Sequence, residues 1–251
     1  MKLTSLRGVR LTILISILAG LGLSTLIAAQ WTGNTEVTSA SGDAALQHYL
    51  LMVSTAAASF LVLVFGVLGV FAVSSEYSSG MILSTLTAVP KRMRVAGAKS
   101  IVLVVIATVT ALIVVAAGLL AGVAFAPDAL VQLGSSVVIS GALGTVAYLV
   151  LFTLFAMGVA GILRSAAGAI AFVTGVAFVL PVAFQMLTMT GWEWVTTAID
   201  YLPVMLGNTL AQGAVEAGSG PGYWGSLVAM VILAAVTLIP AAMIFARRDA
   251  R

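Results

Sequence analysis

Between two long apolar runs the chain reads SSEYSSGMILSTLTAVPKRMRVAGAK, residues 74–99, and this short polar stretch gathers Glu76, Lys91, Arg92, Arg94 and Lys99. One acid among four bases can pair with them, and the bases can meet anionic lipid or help to grip another protein. Covalent chemistry is harder to find. The chain has one histidine, His48, and no cysteine, which excludes thiolate and multi-histidine metal sites and leaves little for acid–base work. A serine nucleophile needs a base beside it, and His48 falls outside the membrane or at its interface. Neither H-E-x-x-H nor the phosphate loop G-x-x-x-x-G-K-[ST] occurs. We therefore expect no enzyme, and any energy used must come from another polypeptide.

The elements that position this stretch follow from composition. Of 251 residues, 61% are hydrophobic and only 8% charged, against roughly 25% charged in soluble domains. So little polar surface cannot cover a soluble core. The chain reads as an all-α polytopic membrane protein in one domain, 1–251. Six runs reach the roughly 20 apolar residues a crossing needs: 11–29, 49–73, 100–125, 137–163, 167–187 and 224–246. The first follows Lys2, Arg7 and Arg10 and could pass for a signal peptide. It exceeds the usual apolar core of about 7–15 residues, so an uncleaved span is expected.

Threading the six spans alternately puts all 11 Lys and Arg on one side: the N-terminus, the 74–99 hinge, Arg164 and the C-terminus. The other side holds Glu36, Asp43, Asp128, Glu193, Asp200 and Glu216. The positive-inside rule then makes both termini and the hinge cytoplasmic. Trp31, Trp192, Trp194 and Trp224 fall near the outer boundaries, as an aromatic belt requires. The external segment 32–48 reads as polar and irregular. The other, 188–223, has the composition of short interfacial or re-entrant helices.

Inside the spans the polar inventory is thin. Gln185 is the strongest polar group at depth, with Thr174 and Thr188 near it; these suit interhelical hydrogen bonds or a substrate path. Pro181 and Pro240 should kink their spans or free a carbonyl, with a role in gating or in packing alone. Gly118 and Gly122 in GLLAG have the small-xxx-small spacing of close helix contacts. The hinge itself reads as a short helix at the membrane surface. Ser78 or Ser79 can cap it, Met81, Ile82, Leu83 and Leu86 give it an apolar patch, and Pro90 cannot continue it. A plain connecting loop with a basic lipid anchor is the alternative.

The hinge resembles the signature of the type-2 ATP-binding-cassette (ABC) exporter permeases, particularly the small bacterial six-span form. Their pattern is an acid, a Gly, a Leu-containing short helix, a Pro with a basic pair, and a Lys opening the third span. Glu76, Gly80, Leu86, Pro90, Lys91, Arg92 and Lys99 stand in those places. LTSLRGVRLTIL resembles the amphipathic helix leading into the first span, though only about ten residues precede that span here. DYLPVMLGNTL resembles the segment before the last span. The resemblance covers nearly the whole chain. It implies the type-2 permease fold in a bacterial plasma membrane, and a coupling helix docked on a separate ATPase subunit, present in two copies. It also implies a second permease chain, identical or homologous, with the substrate path between the two. ATP and Mg would sit on the ATPase, none on this chain. Membrane lipids are further partners and nucleic acid is not expected.

A charge-free interior suits an apolar or amphipathic cargo such as a peptide antibiotic, a drug or a lipid. Two other readings stay open: a secondary transporter or channel acting alone, and a non-transporting scaffold or immunity protein that sequesters a toxic peptide. Spans without charged residues argue against the first.

Overall fold

Apolar runs of this length have one open-ended form in hydrocarbon, the helix, which satisfies every backbone group internally. The computed structural model describes residues 7–34, 42–78, 92–215 and 220–247, and these are helical throughout apart from short turns. In chain order come α1 Arg7–Asn34, α2 Asp43–Thr55, α3 Ala58–Ser78, α4 Arg92–Phe125 and a 3-10 helix Pro127–Gly134. Then follow α5 Ser136–Leu163, α6 Ala166–Thr174, a π turn Gly175–Val179, α7 Leu180–Thr188, α8 Glu193–Asp200, α9 Pro203–Ala211 and α10 Gly222–Arg247. They supply six helices long and apolar enough to cross a membrane: Leu11–Trp31, Asp43–Ser74, Gly97–Phe125, Ser136–Leu163, Ala166–Thr188 and Gly222–Ile244.

The fourth span, α5, is the axis of the bundle. It packs against α2, α3, α4, α6, α9 and α10, and Leu149, Phe152, Phe155 and Ala156 along it are buried in the main core. Its start is fixed by Ser135, whose hydroxyl accepts from the Val138 N–H at 3.3 Å. Its end is fixed by Arg164 in the left-handed region (φ 54°). The next residue, Ser165, caps α6 by accepting from the Gly168 N–H at 3.1 Å. Two spans thus reverse direction in two residues. The first, fifth and sixth spans lie at the rim and present Leu14, Leu18, Phe172, Val182, Ile232 and Val236 outward, as lipid requires.

Close approach at glycine sets the spacing. A Cβ on Gly118 would sit 2.8 Å from the Ser54 Cα, and the Gly122 carbonyl accepts from the Tyr49 hydroxyl at 2.9 Å. The small-xxx-small pair therefore holds α4 against α2. Gly158 does the same between α5 and α10, where a Cβ would meet the Thr237 backbone carbon at 2.6 Å. Because that obstacle is backbone, Gly158→Val must push two spans apart. We expect it to cost about 1–3 kcal/mol, read as a lower melting temperature of the purified chain in detergent.

Two helix starts and two internal breaks stand out against the sequence expectation. The second span starts at Asp43 rather than 49, so residues 43–48 of the segment expected to be irregular are helical; Asp43 suits the positive end of that helix. The same span is broken at Ala56–Ala57, which no Gly or Pro announces. The third helix starts at Arg92 rather than 100, so Arg94 and Lys99 lie on its first turns and not in a loop; both are good helix formers. The fifth span is interrupted by the π turn just before Pro181. Proline lacks the N–H that would bond the Ala177 carbonyl, and its ring crowds it. The Leu180 N–H reaches back five residues to the Gly175 carbonyl, which absorbs the mismatch. Pro240, by contrast, sits within the continuous helix α10.

Candidate functional site

The hinge residues Gly80, Met81, Ile82, Leu83, Leu86, Pro90 and Lys91 lie outside the described residues. What the structure gives is the frame around them. Glu76 is in the last turn of α3, and Arg92 opens α4. Both helices run past the apolar runs of the sequence that they belong to, 49–73 and 100–125. Residues 79–91 therefore join two helix ends at one end of the bundle, here termed the hinge end.

The expected path residues do not converge. Pro181 is buried, Gln185 is exposed on the outside of the fifth span and Thr188 is half-buried. The Thr188 hydroxyl donates to the Gln185 carbonyl at 2.6 Å, a bond within one helix. Gln185 faces away from this chain's own interior, where only lipid or a second chain could meet it.

At the far end, the segment between the fifth and sixth spans folds into α8 and α9. Trp192 and Trp194 stack at 6.0 Å and remain exposed, while Phe184 meets Trp194 edge-on at 6.3 Å. In α9, Pro203, Leu206, Gly207 and Leu210 are buried. Gly144 of α5 lies against the Leu210 carbonyl, and a Cβ on Gly207 would sit 2.5 Å from the Tyr148 ring. As numbers rise along α5 they fall along α9, so the two run antiparallel. Tyr148 is 12 residues from the start of α5, roughly 18 Å at 1.5 Å per residue. The hydrocarbon core is about 30 Å thick. The short helix α9 thus packs beside the far half of a spanning helix instead of lying on the surface, which only protein cover permits.

This intrusion leaves a cavity of about 670 Å³ between α2, α5 and α9. Gln47, His48, Asn208 and Gln212 supply polar groups, as do the hydroxyls of Thr55, Ser59 and Tyr148, and Leu51, Met52, Val137 and Val215 supply apolar walls. Its rim is held by a chain of amides. The Gln47 Nε2 donates to Gln132 Oε1 at 2.8 Å, and the Gln132 Nε2 donates to Asp43 Oδ1 at 2.8 Å. His48 meets Trp31 edge-on, ring centres 6.0 Å apart. Replacing Gln132 by Leu removes both bonds and strands two partners. We expect a loss of about 1–3 kcal/mol, seen as earlier unfolding, with faster proteolysis near residues 35–48.

Sequence reasoning missed the cavity. Tyr148 is one tyrosine in an unbroken apolar run, and Asn208 and Gln212 read as ordinary loop polarity. The available signal was the pairing of DYLPVMLGNTL with a long gap before the last span. No protein-family model, curated protein or solved structure matches the chain.

Proposed function

We propose that the chain is the membrane-spanning subunit of an ATP-driven exporter, a type-2 ABC permease in a bacterial plasma membrane. The hinge faces the cytoplasm, and the cavity end faces outward. Residues 79–91 dock on a separate ATPase through Met81, Ile82, Leu83 and Leu86. Closure of two ATPase subunits around ATP pulls on the hinges, and two permease chains rock between inward and outward openings. Glu76 and the bases Lys91, Arg92 and Lys99 hold the inner ends of the second and third spans at a fixed angle. An apolar or amphipathic molecule passes between the chains, past the face that carries Gln185.

The observation that carries this reading is the hinge: an acid, an apolar short segment, a proline and a basic cluster joining two helices that overrun their apolar spans. A lipid anchor explains the bases alone, and leaves the apolar patch before Pro90 without a purpose. The test is reconstitution of the chain in liposomes with the ATPase encoded beside it. Nucleotide hydrolysis should be stimulated by the chain, and transport should stop when the ATPase is inactivated. Transport driven by an ion gradient without any ATPase would overturn the reading, and so would toxin protection that survives loss of hydrolysis.

A further inference from the structure

The deep end of the far cavity brings together two features from different elements, a partnerless side-chain hydroxyl and an interruption of the helical backbone ladder. One is the Tyr148 hydroxyl. The side chain is only 2% exposed and lines the cavity, yet its hydroxyl has no hydrogen-bond partner among the described residues. Buried tyrosine hydroxyls ordinarily find one. The second is the backbone at the break between α2 and α3. The Ala56 N–H still donates to the Met52 carbonyl at 3.1 Å, but the Phe60 N–H turns to Ala57 O at 3.1 Å instead of Ala56 O. The Ala56 carbonyl thus loses its helical donor, and Ala56 lines the cavity. Along α5 the wall runs from Val137 to Tyr148, and along α9 and the turn after it from Val215 back to Gly207. Tyr148, Gly207 and the Ala56–Ala58 break are therefore its deepest parts.

Nearer the mouth the Gln47 amide is tied through its nitrogen to Gln132, which leaves Gln47 Oε1 as an acceptor. Asn208 and Gln212 offer both donors and acceptors. Among the described residues no Asp, Glu, Lys or Arg lines the cavity. A charged ligand would meet no Asp, Glu, Lys or Arg counter-charge from these residues and suffer a desolvation penalty. A hydrocarbon would leave the Tyr148 hydroxyl without a partner and offer the Ala56 carbonyl no donor. What fits is a neutral group that donates and accepts at once, flanked by apolar surface. The volume lies within the range of small-molecule sites, about 300–1,000 Å³.

We propose that this cavity is a binding site for an uncharged, peptide-like amphipath. One of its amide N–H groups donates to the Ala56 carbonyl, a carbonyl accepts from the Tyr148 hydroxyl, and its apolar side chains lie on Leu51, Met52 and Val137. The site belongs to a single chain and does not depend on the path between two. It deepens the export reading by naming a cargo class, but binding requires no ATPase, so the two can fail separately.

The probe is a fluorescent N-acetyl-trileucine amide, titrated against the full-length chain in lipid nanodiscs with no ATPase present. Saturable binding is expected. Tyr148→Phe, which removes one oxygen, should weaken it about 3- to 10-fold, the worth of one hydrogen bond. Asn208→Leu at the mouth gives a second variant should the first fail to fold, and Ala44→Trp should block entry. An ester analogue without the relevant N–H should bind more weakly than the amide, and the free-acid form more weakly still. Equal affinity in wild type, Tyr148→Phe, Asn208→Leu and Ala44→Trp would overturn the proposal. So would preference for the free acid, absence of saturable amide binding, or displacement by neutral diacylglycerol as strong as by unlabelled peptide.

Discussion

On the proposed exporter reading, Leu86→Asp is expected to abolish binding of the ATPase. If Leu86 seats in an apolar cleft, the substitution loses the burial of a leucine, about 1.5–3 kcal/mol. It also forces an unpaired carboxylate out of water, which costs more. Affinity should fall about 100-fold or more, equivalent to about 2.8 kcal/mol. The ATPase should no longer co-purify, and transport should vanish while the chain still inserts and stays monodisperse. Leu86→Met conserves volume and should keep nearly full association. The lipid-anchor alternative predicts the opposite pattern. There, Leu86→Asp would leave partner and transport intact, whereas Lys91→Gln with Arg92→Gln would weaken only attachment to anionic lipid. Intact association in Leu86→Asp sinks the docking role.

How much could be read beforehand divides along physical lines. The six spans were legible because hydrocarbon leaves no other choice to runs such as VLVVIATVTALIVVAAGLLAGVAF. The Gly118–Gly122 contact was legible for a related reason: without a hydrophobic drive between helices, small residues must mark close approach. The Pro181 irregularity was legible as a kink and not as a π turn, since proline removes a bond without dictating how the helix recovers. The break at Ala56–Ala57 was invisible. Its sequence, STAAASF, has no Gly or Pro; just before the break the Ser54 and Thr55 hydroxyls both donate back to the Leu51 carbonyl, Ser54 lies against Gly118, and α9 intrudes beside Tyr148. The cavity depends on that same intrusion, so it could not be read from any one segment. Gln185 shows the converse limit. Polarity in a span marks a residue as unusual, but which way it faces is decided by the neighbours around the fifth span.

Orientation is the other result on which most depends, and the absence of native cysteine makes it directly measurable. A single introduced cysteine is the only thiol that a membrane-impermeant maleimide can modify. Thr190→Cys and Val215→Cys lie at exposed positions of the far end and should label nearly completely in intact cells. Ala167→Cys, exposed at the start of α6, and Thr87→Cys in the hinge should stay at background until the cells are permeabilised. The contrast should be all-or-none, because a bilayer either separates a thiol from the reagent or does not. All 11 basic residues fall on the side assigned to the cytoplasm, and neutralising one site cannot outvote the rest. Reversed labelling would place residues 79–91 outside, where no ATP-hydrolysing partner exists, and the exporter reading would end there. The neutral-amide cavity would survive that outcome with its mouth turned inward. Labelling orientation and peptide binding therefore test separate parts of the molecule, and agreement between them would place a ligand site on the outward half of a driven transporter.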